Sequence, residues 1–576
     1  MKERLMLVNV FGNLDKQKYG ILIISLIQGL VIYLLNKLYK LDFTTHKYLL
    51  TIYASTVLIT QTIQLNFNNI KSKILWCFIG IITLISIITG IYSFSLTIKT
   101  TDFTPFTFLY LFTMYSAWFI ALPFIQALIE HDKLFTNYKS LYTNAWRNFL
   151  LLFEAFIFLG LFWISLSICS SLFKLIGIKF FSKLFSKNWF IYIASSLAYG
   201  MALYSLQTNE STINTVQKHL LAILKKLLPL MSFIAVLFII VLPFKGLNLL
   251  FATKHASTII LSLIAFMVIL INTSYQDGNS DENHNKWINN LIKLAILSLP
   301  IYSVIAIYAV CLRVNQYGWA FWRVWGAVLI AIASIYSFGY ALSLLYKRND
   351  LWKSDIISKT NIINSLIIIS ILVLINTPIL NPARITVTNQ IQRLLNEKVG
   401  AKNFDFSSFK FELGKLGIKK LVELSKIKNH KEADIIREEA KKALNAKYRY
   451  ELIKEPLLPV DIKMLPSGKI EQNFIDKINN DRLGNNCRQA DKCFVIAIDL
   501  NADNVEEYVL FTSYMGYIFK ANPQTNDWIR VGDVGAKIKN ILTELKDDLE
   551  KGNFKAVPNN WYNLQIGDKV YPTRIE

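Results

Sequence analysis

Residues Ile74–Leu96 read ILWCFIGIITLISIITGIYSFSL, 23 consecutive positions without Asp, Glu, Lys, Arg or His. At about 1.5 Å of rise per residue, a helix of that length crosses the roughly 30 Å hydrocarbon core of a bilayer. Lys73 and Lys99 bound it. The same pattern, a long apolar run closed by Lys, Arg, Asn or Asp, recurs along the first two thirds of the chain. The expected spans are Tyr19–Leu35, Tyr48–Leu65, Ile74–Leu96, Phe106–Leu128, Phe149–Leu172, Trp189–Leu206, Leu228–Leu247, Ala256–Asn272, Leu291–Leu312, Trp319–Leu345 and Asn361–Leu380. That makes about 11 transmembrane helices, and no small-residue cleavage site follows the first, so it reads as a retained helix.

Composition agrees. Of 576 residues 53% are hydrophobic and 18% charged, and mean hydropathy is +0.36, outside the range of an ordinary soluble protein. The net charge of +22 lies mostly before residue 381, between the apolar runs. It therefore reads as membrane-flanking charge, and nucleic acid is not an expected partner. With the N-terminus in the cytoplasm, the loops on that side carry more Lys and Arg than those opposite, the direction the positive-inside rule requires. The exception is Ser171–Asn188, where Lys174, Lys179, Lys183 and Lys187 alternate with apolar residues at helical spacing, as in an amphipathic helix lying in the interface.

An odd number of crossings places everything after Asn381 outside the cytoplasm. That part divides into a charge-rich helical segment, residues 381–460, and a small α+β segment, residues 461–576. The first carries amphipathic patterns at Ile385–Val399, Phe411–Ser425 and Lys431–Arg449. The second carries strand patterns at Phe494–Leu500, Glu507–Thr512, Gly516–Lys520 and Trp528–Val531, a helix near Ala536–Glu550 and a tail strand near Asp568–Tyr571. Its two cysteines, Cys487 and Cys493, lie six positions apart, the spacing of a small disulfide loop in an oxidising compartment. The expected fold is thus a polytopic α-helical membrane bundle, residues 1–380, with a C-terminal α+β soluble domain.

Three groups of residues could carry chemistry. Glu154 sits in an apolar run two turns from Arg147. A carboxylate in hydrocarbon is costly, so it is either a proton or cation site or a carboxyl that pairs near the interface. Arg313 and Arg323 flank a turn at Gly318 beside Tyr317, Trp319, Trp322 and Trp325. They suit an interfacial anchor or a site for a lipid phosphate or other anion. Asp499, Asn501, Asp503 and Glu507 place oxygens at relative positions one, three, five and nine of a loop. A Ca2+ loop and a solvated hairpin turn both fit, although Leu510 occupies the place of an EF-hand's bidentate Glu. Walker, dinucleotide, His-Glu-x-x-His and Gly-x-Ser-x-Gly patterns are absent, and the six histidines are dispersed.

Several segments resemble a bacterial family known as domain of unknown function 4153. The most specific is Leu312-Arg313-Val314-Asn315-Gln316-Tyr317-Gly318 with Arg323 downstream, similar to that family's Arg-x-x-Gln-Tyr-Gly turn. Also similar are Ala145-Trp146-Arg147-Asn148, Leu172 to Ile178, Tyr275-Gln276-Asp277-Gly278 and Asn381-Pro382-Ala383-Arg384-Ile385. The chain departs at Ala320 and Phe321, where relatives often carry Thr and Pro. The resemblance implies a multi-pass inner-membrane protein and assigns no activity. The functional expectation is a non-enzymatic envelope transporter or scaffold with a periplasmic partner-binding domain, its partners the bilayer and envelope lipids or proteins. The alternative is a membrane-embedded enzyme acting on lipid-linked or glycan substrates. On this topology a C-terminal alkaline phosphatase fusion is expected to be active; an expressed but inactive fusion refutes the orientation.

Overall fold

The structure, a computed structural model, describes residues 2–41, 46–97, 105–131, 138–246, 256–277, 285–346, 355–452, 460–480, 482–487, 493–501, 503–512, 515–522, 527–534, 549–553, 564–566 and 569–571. The chain forms two compact units, Met1–Leu452 and Ile453–Glu576.

The first unit is all helix: α1 (Lys2–Leu41), α2 (His46–Leu65), α3 (Lys73–Ser95), α4 (Pro105–His131), α5 (Tyr138–Leu175), α6 (Phe180–Phe185), α7 (Asn188–Thr208), α8 (Glu210–Lys245), α9 (Ala256–Tyr275), α10 (Lys286–Tyr317), α11 (Phe321–Tyr346) and α12 (Asp355–Leu374). A cap of α13 (Pro382–Leu395), α14 (Phe406–Phe411), α15 (Gly414–Leu424) and α16 (Ala433–Asn445) follows. Among the described residues ten helices are long and apolar enough to cross a membrane. The eleventh expected span, α2, is a helix of 20 residues, long enough at about 30 Å but polar. Its Ser55, Gln61, Thr62 and Gln64 are buried and bonded to neighbouring helices. Trp118 Nε1 donates to Thr62 Oγ1 at 2.8 Å, Tyr199 OH to Gln61 Oε1 at 2.8 Å, and Ser55 Oγ to Ser86 Oγ at 3.1 Å. A helix surrounded by partners needs little apolar surface of its own.

Outward faces are apolar instead. Along α5, Phe153, Ile157, Leu161, Ile164 and Ile168 are all exposed, a stripe that would aggregate in water and is solvated by acyl chains in a bilayer. Inward packing forms two large cores among the described residues, with smaller clusters beside them. Phe78, Trp118, Leu150, Leu151 and Leu203 fill one among α2 to α5 and α7; Met267, Ile296, Leu299, Tyr302 and Tyr340 fill the other among α8 to α12. Helices α4 and α12 pack together and join the halves. Between α1 and α7 the backbones nearly touch: a Cβ on Gly29 would stand 2.8 Å from Ile193 Cα, a close approach typical of membrane helix pairs.

Two expectations change. The stretch Ser171–Asn188, expected as an amphipathic lip, is not a single helix: Ser171–Leu175 finish α5, which runs unbroken for 38 residues. Gly177, at φ +85°, then turns the chain into the six-residue α6. The segment after Asn381 is not a subdomain apart, because Phe321 at the start of α11 is buried with Ala383, Val387, Leu394 and Phe409 of the cap. The compact units divide at residue 452 instead.

In the second unit β2 (Phe494–Ile498), β3 (Glu507–Phe511), β4 (Gly516–Ala521) and β5 (Trp528–Val534) form an antiparallel meander, with β1 (Lys463–Met464) parallel to β2. Val495 lies opposite Leu510 and Val509 opposite Ile518. Helix α17 (Gln472–Asn480) lays Phe474 against Tyr508, Phe519 and Trp528. Cys487 and Cys493 are joined at 2.05 Å within this core. Strands β6 (Leu564–Ile566) and β7 (Lys569–Tyr571) pair separately. Most of the helix expected near Ala536–Glu550 lies outside the described residues.

Candidate functional site

Helix α10 ends at Tyr317, and the chain reverses into α11 within three residues. Gly318 makes that reversal possible at φ +72°, a region that other residues enter only with strain. Space forbids a side chain there as well. A Cβ on Gly318 would lie 2.5 Å from Arg393 Cδ and 2.6 Å from Asn389 Oδ1.

Those two atoms belong to α13, which grips the turn through its backbone. Asn389 Oδ1 accepts from Trp319 N at 2.8 Å, and Gln390 Nε2 donates to the carbonyls of Tyr317 and Trp319 at 2.9 and 2.8 Å. Arg393 Nη2 donates to the Gln316 carbonyl at 2.7 Å. Arg323 Nη1, from the first turn of α11, donates to the Gly318 carbonyl at 2.8 Å. Guanidiniums thus meet the last carbonyls of α10, where the helix dipole is negative. Asn381 starts α13 as its N-cap, accepting from Arg384 N at 3.1 Å, with Pro382 in the first turn where its missing N–H costs nothing.

The clamp uses main-chain atoms and leaves the side chains of Arg313, Gln316 and Tyr317 exposed. Arg313 and Arg323 stand over the Tyr317 ring at 5.9 and 5.4 Å, and Arg313 and Arg393 both lie near enough to repel Arg323. Among the described residues no carboxylate pairs with any of the three. Next to the turn an open groove of about 560 Å3 runs between Trp319, Ile379, Arg384, Ile385 and Thr388. Arg313, Tyr317 and Arg323, adjacent in sequence, lie beside one another, and Asn389, Gln390 and Arg393, which no motif in the sequence singles out, reach the same turn from α13. Their spacing of one and four along an amphipathic helix looks the same as a solvated face.

The other candidates lie elsewhere. Glu154 is half-buried on α5, and its Oε1 is enclosed without a hydrogen-bond partner among the described residues. It lines none of the cavities described in this structure. In the acidic loop Glu507 is buried and accepts from Leu500 N at 2.8 Å and Asn501 Nδ2 at 2.6 Å. Asp499 accepts from Asn501 N and Asn504 N, at 3.2 and 2.9 Å. Lys520 of β4 pairs with Asp503, holding its carboxyl below the usual range, and lies 3.6 Å from Glu507. The ammonium therefore sits where a Ca2+ would neutralise the loop. Among the described residues no group of three or more His, Cys, Asp or Glu is arranged to hold a metal.

A second polar feature was not anticipated. At the end of the bundle away from the cap, amides pair across helices. Gln126 and Asn148 exchange bonds at 2.8 and 3.2 Å, and Gln126 also donates to Asn66 Oδ1 at 3.0 Å. Gln17 donates to Gln207 Oε1 at 3.1 Å, and Gln207 to the Gln64 carbonyl at 3.0 Å. Asn361 donates to Tyr138 OH and Asn272 Oδ1, each at 2.7 Å. Glu130 accepts from Ser140 Oγ at 2.6 Å, and Lys139 pairs with Asp277 at 3.3 Å.

Residues 50–410 match the family model described as Domain of unknown function (DUF4153). No curated protein and no solved structure matches the chain.

Two outcomes follow for these sites. Gly318→Ala is expected to cost about 1–3 kcal/mol, read as a lower Tm of the purified chain and faster proteolysis within residues 396–452; an unchanged Tm would show the clamp to be slack. Calorimetric titration of the full chain should detect no Ca2+ binding at millimolar concentration, whereas Lys520→Met should create measurable affinity. Binding by the unmodified chain would restore the calcium reading.

Proposed function

The chain belongs to the DUF4153 family, and from that membership and the cationic turn we propose that it is a non-enzymatic envelope membrane protein whose cap end holds anionic lipid headgroups. The observation that carries this is the gathering of Arg313, Arg323 and Arg393 around Tyr317 without a carboxylate partner among the described residues. Like charges crowded together repel, and a phosphate offers two oxygens to a guanidinium fork. Trp319, Ile379 and Ile385 along the neighbouring groove suit the first carbons of an acyl chain.

A scaffold fits better than a transporter, because Gln17, Gln126, Asn148 and Gln207 bond one another across helices instead of lining a described cavity. An enzyme on lipid-linked substrates would need an acid or base beside the arginines. Asp277 does not supply one, being paired with Lys139 at the far end of the bundle. In this reading the membrane is the bacterial inner membrane and the N-terminus is cytoplasmic. The cap and the second unit then face the periplasm, where a Cys487–Cys493 disulfide persists and the second unit is the partner-binding domain.

In nanodiscs, native mass spectrometry is expected to find phosphatidylglycerol retained over phosphatidylcholine. Arg313→Gln, which touches no clamp bond, should weaken that retention about tenfold with Tm unchanged. Equal retention by the variant would leave the turn as an anchor for the cap alone.

A further inference from the structure

Where α4, α5, α9, α11 and α12 meet, away from the cap, the structure encloses a half-open cavity of about 250 Å3. Its walls are aromatic, Phe119, Phe124, Tyr138, Tyr142, Trp146 and Tyr336, and its floor is Asn272, Asn361 and Ser365. Among the described residues no charged side chain lines it.

The floor is chemically committed. Asn361 spends its amide on Tyr138 and Asn272 and accepts from Tyr340 OH at 2.6 Å, and Ser365 Oγ donates to the Asn361 carbonyl at 2.7 Å. The α5 wall is not. Tyr138 OH accepts from Asn361 and keeps its own proton to donate. Tyr142 OH, one helical turn on, is buried beside the Trp146 indole and makes no hydrogen bond of normal geometry among the described residues, so its own proton is free to donate. On α4, Pro123 lies inside the helix and has no N–H to offer the Phe119 carbonyl, and both residues line the same cavity. Buried polar groups in this state ask for a ligand or water.

We propose that this cavity holds the uncharged headgroup of a membrane amphiphile, whose oxygens accept from the Tyr138 and Tyr142 hydroxyls while its chain stays in the bilayer. The absence of lining charge excludes an ionic headgroup, since a buried unpaired charge is far costlier than a buried hydroxyl or carbonyl. Size excludes a whole lipid, because pockets for complete drug-sized ligands run from about 300 to 1,000 Å3. A route for the chain is present: Trp146 meets Phe149 at 5.8 Å, which stacks on Phe153 at 5.8 Å, and both phenylalanines are exposed on the lipid-facing stripe of α5. The inference is independent of the arginine turn, which lies at the other end of the bundle. A quinone ring and a glycerol ester share the required chemistry, and the experiment separates them.

The full-length chain in detergent would be titrated with decylubiquinone, dioctanoylglycerol and dioctanoyl phosphatidic acid, with Tm and native-mass adducts as readouts. Saturable binding of one uncharged probe is expected and identifies the source, with phosphatidic acid at least tenfold weaker. Tyr142→Phe, which deletes only the hydroxyl, should weaken binding about five- to tenfold, the worth of one hydrogen bond. Ala145→Phe should abolish binding by filling the space. The proposal falls if neither uncharged probe saturates, if phosphatidic acid binds equally well, or if Tyr142→Phe leaves affinity unchanged. That last variant decides alone should Ala145→Phe fail to fold.

Discussion

Inside a bilayer a polar side chain has no water to turn to, so every amide and hydroxyl carried into the bundle must find another one there. That constraint organises the first unit. It explains why α2, which falls outside the ten most apolar spans, is held among α1, α3, α4 and α7 by Trp118, Tyr199 and Ser86. Each such pair contributes only about 0.6 kcal/mol on average, but leaving one member alone would cost several times more. The pairs therefore specify which helices are neighbours more than they add to stability.

The two ends of the bundle meet this requirement differently. Away from the cap the buried polar groups are mainly amides and phenols, many of them bonded to one another across helices, with Glu130 held by Ser140 and Asn144. At the cap end the guanidiniums of Arg323 and Arg393 meet main-chain carbonyls, and they and Arg313 have no carboxylate partner among the described residues. Buried amides and phenols at one end and guanidiniums set on main-chain carbonyls at the other make the two ends chemically different along the membrane normal. The two proposed ligands, an anionic headgroup and an uncharged one, follow from that difference.

The Arg-x-x-Gln-Tyr-Gly segment acquires a physical meaning from its surroundings. Its glycine serves the clamp, since neither the backbone angle nor the space beside Asn389 and Arg393 admits a side chain. Its other side chains do not serve the clamp, because α13 bonds to carbonyls that any residue would supply. Arg313 and Tyr317 are thereby free for a role at the surface, and Phe321, one of the departures from the family pattern, is absorbed into the core of the cap.

Length and hydrophobicity alone made the membrane bundle, its helix positions and the α+β character of the tail legible, because a span of apolar residues has one stable environment whatever its neighbours. The strands around Phe494 and Glu507 could be read for the same local reason, alternation and β-branched content. Which polar residues meet could not be read. Gln126 is 22 positions from Asn148, Asn361 is 223 from Tyr138, and Arg393 is 77 from Gln316, and nothing in a run of sequence encodes those distances. Only the tertiary packing brought Lys520 into the acidic loop and set the Tyr142 hydroxyl at a cavity, because hydrogen bonds and charge pairs depend on where side chains end in space.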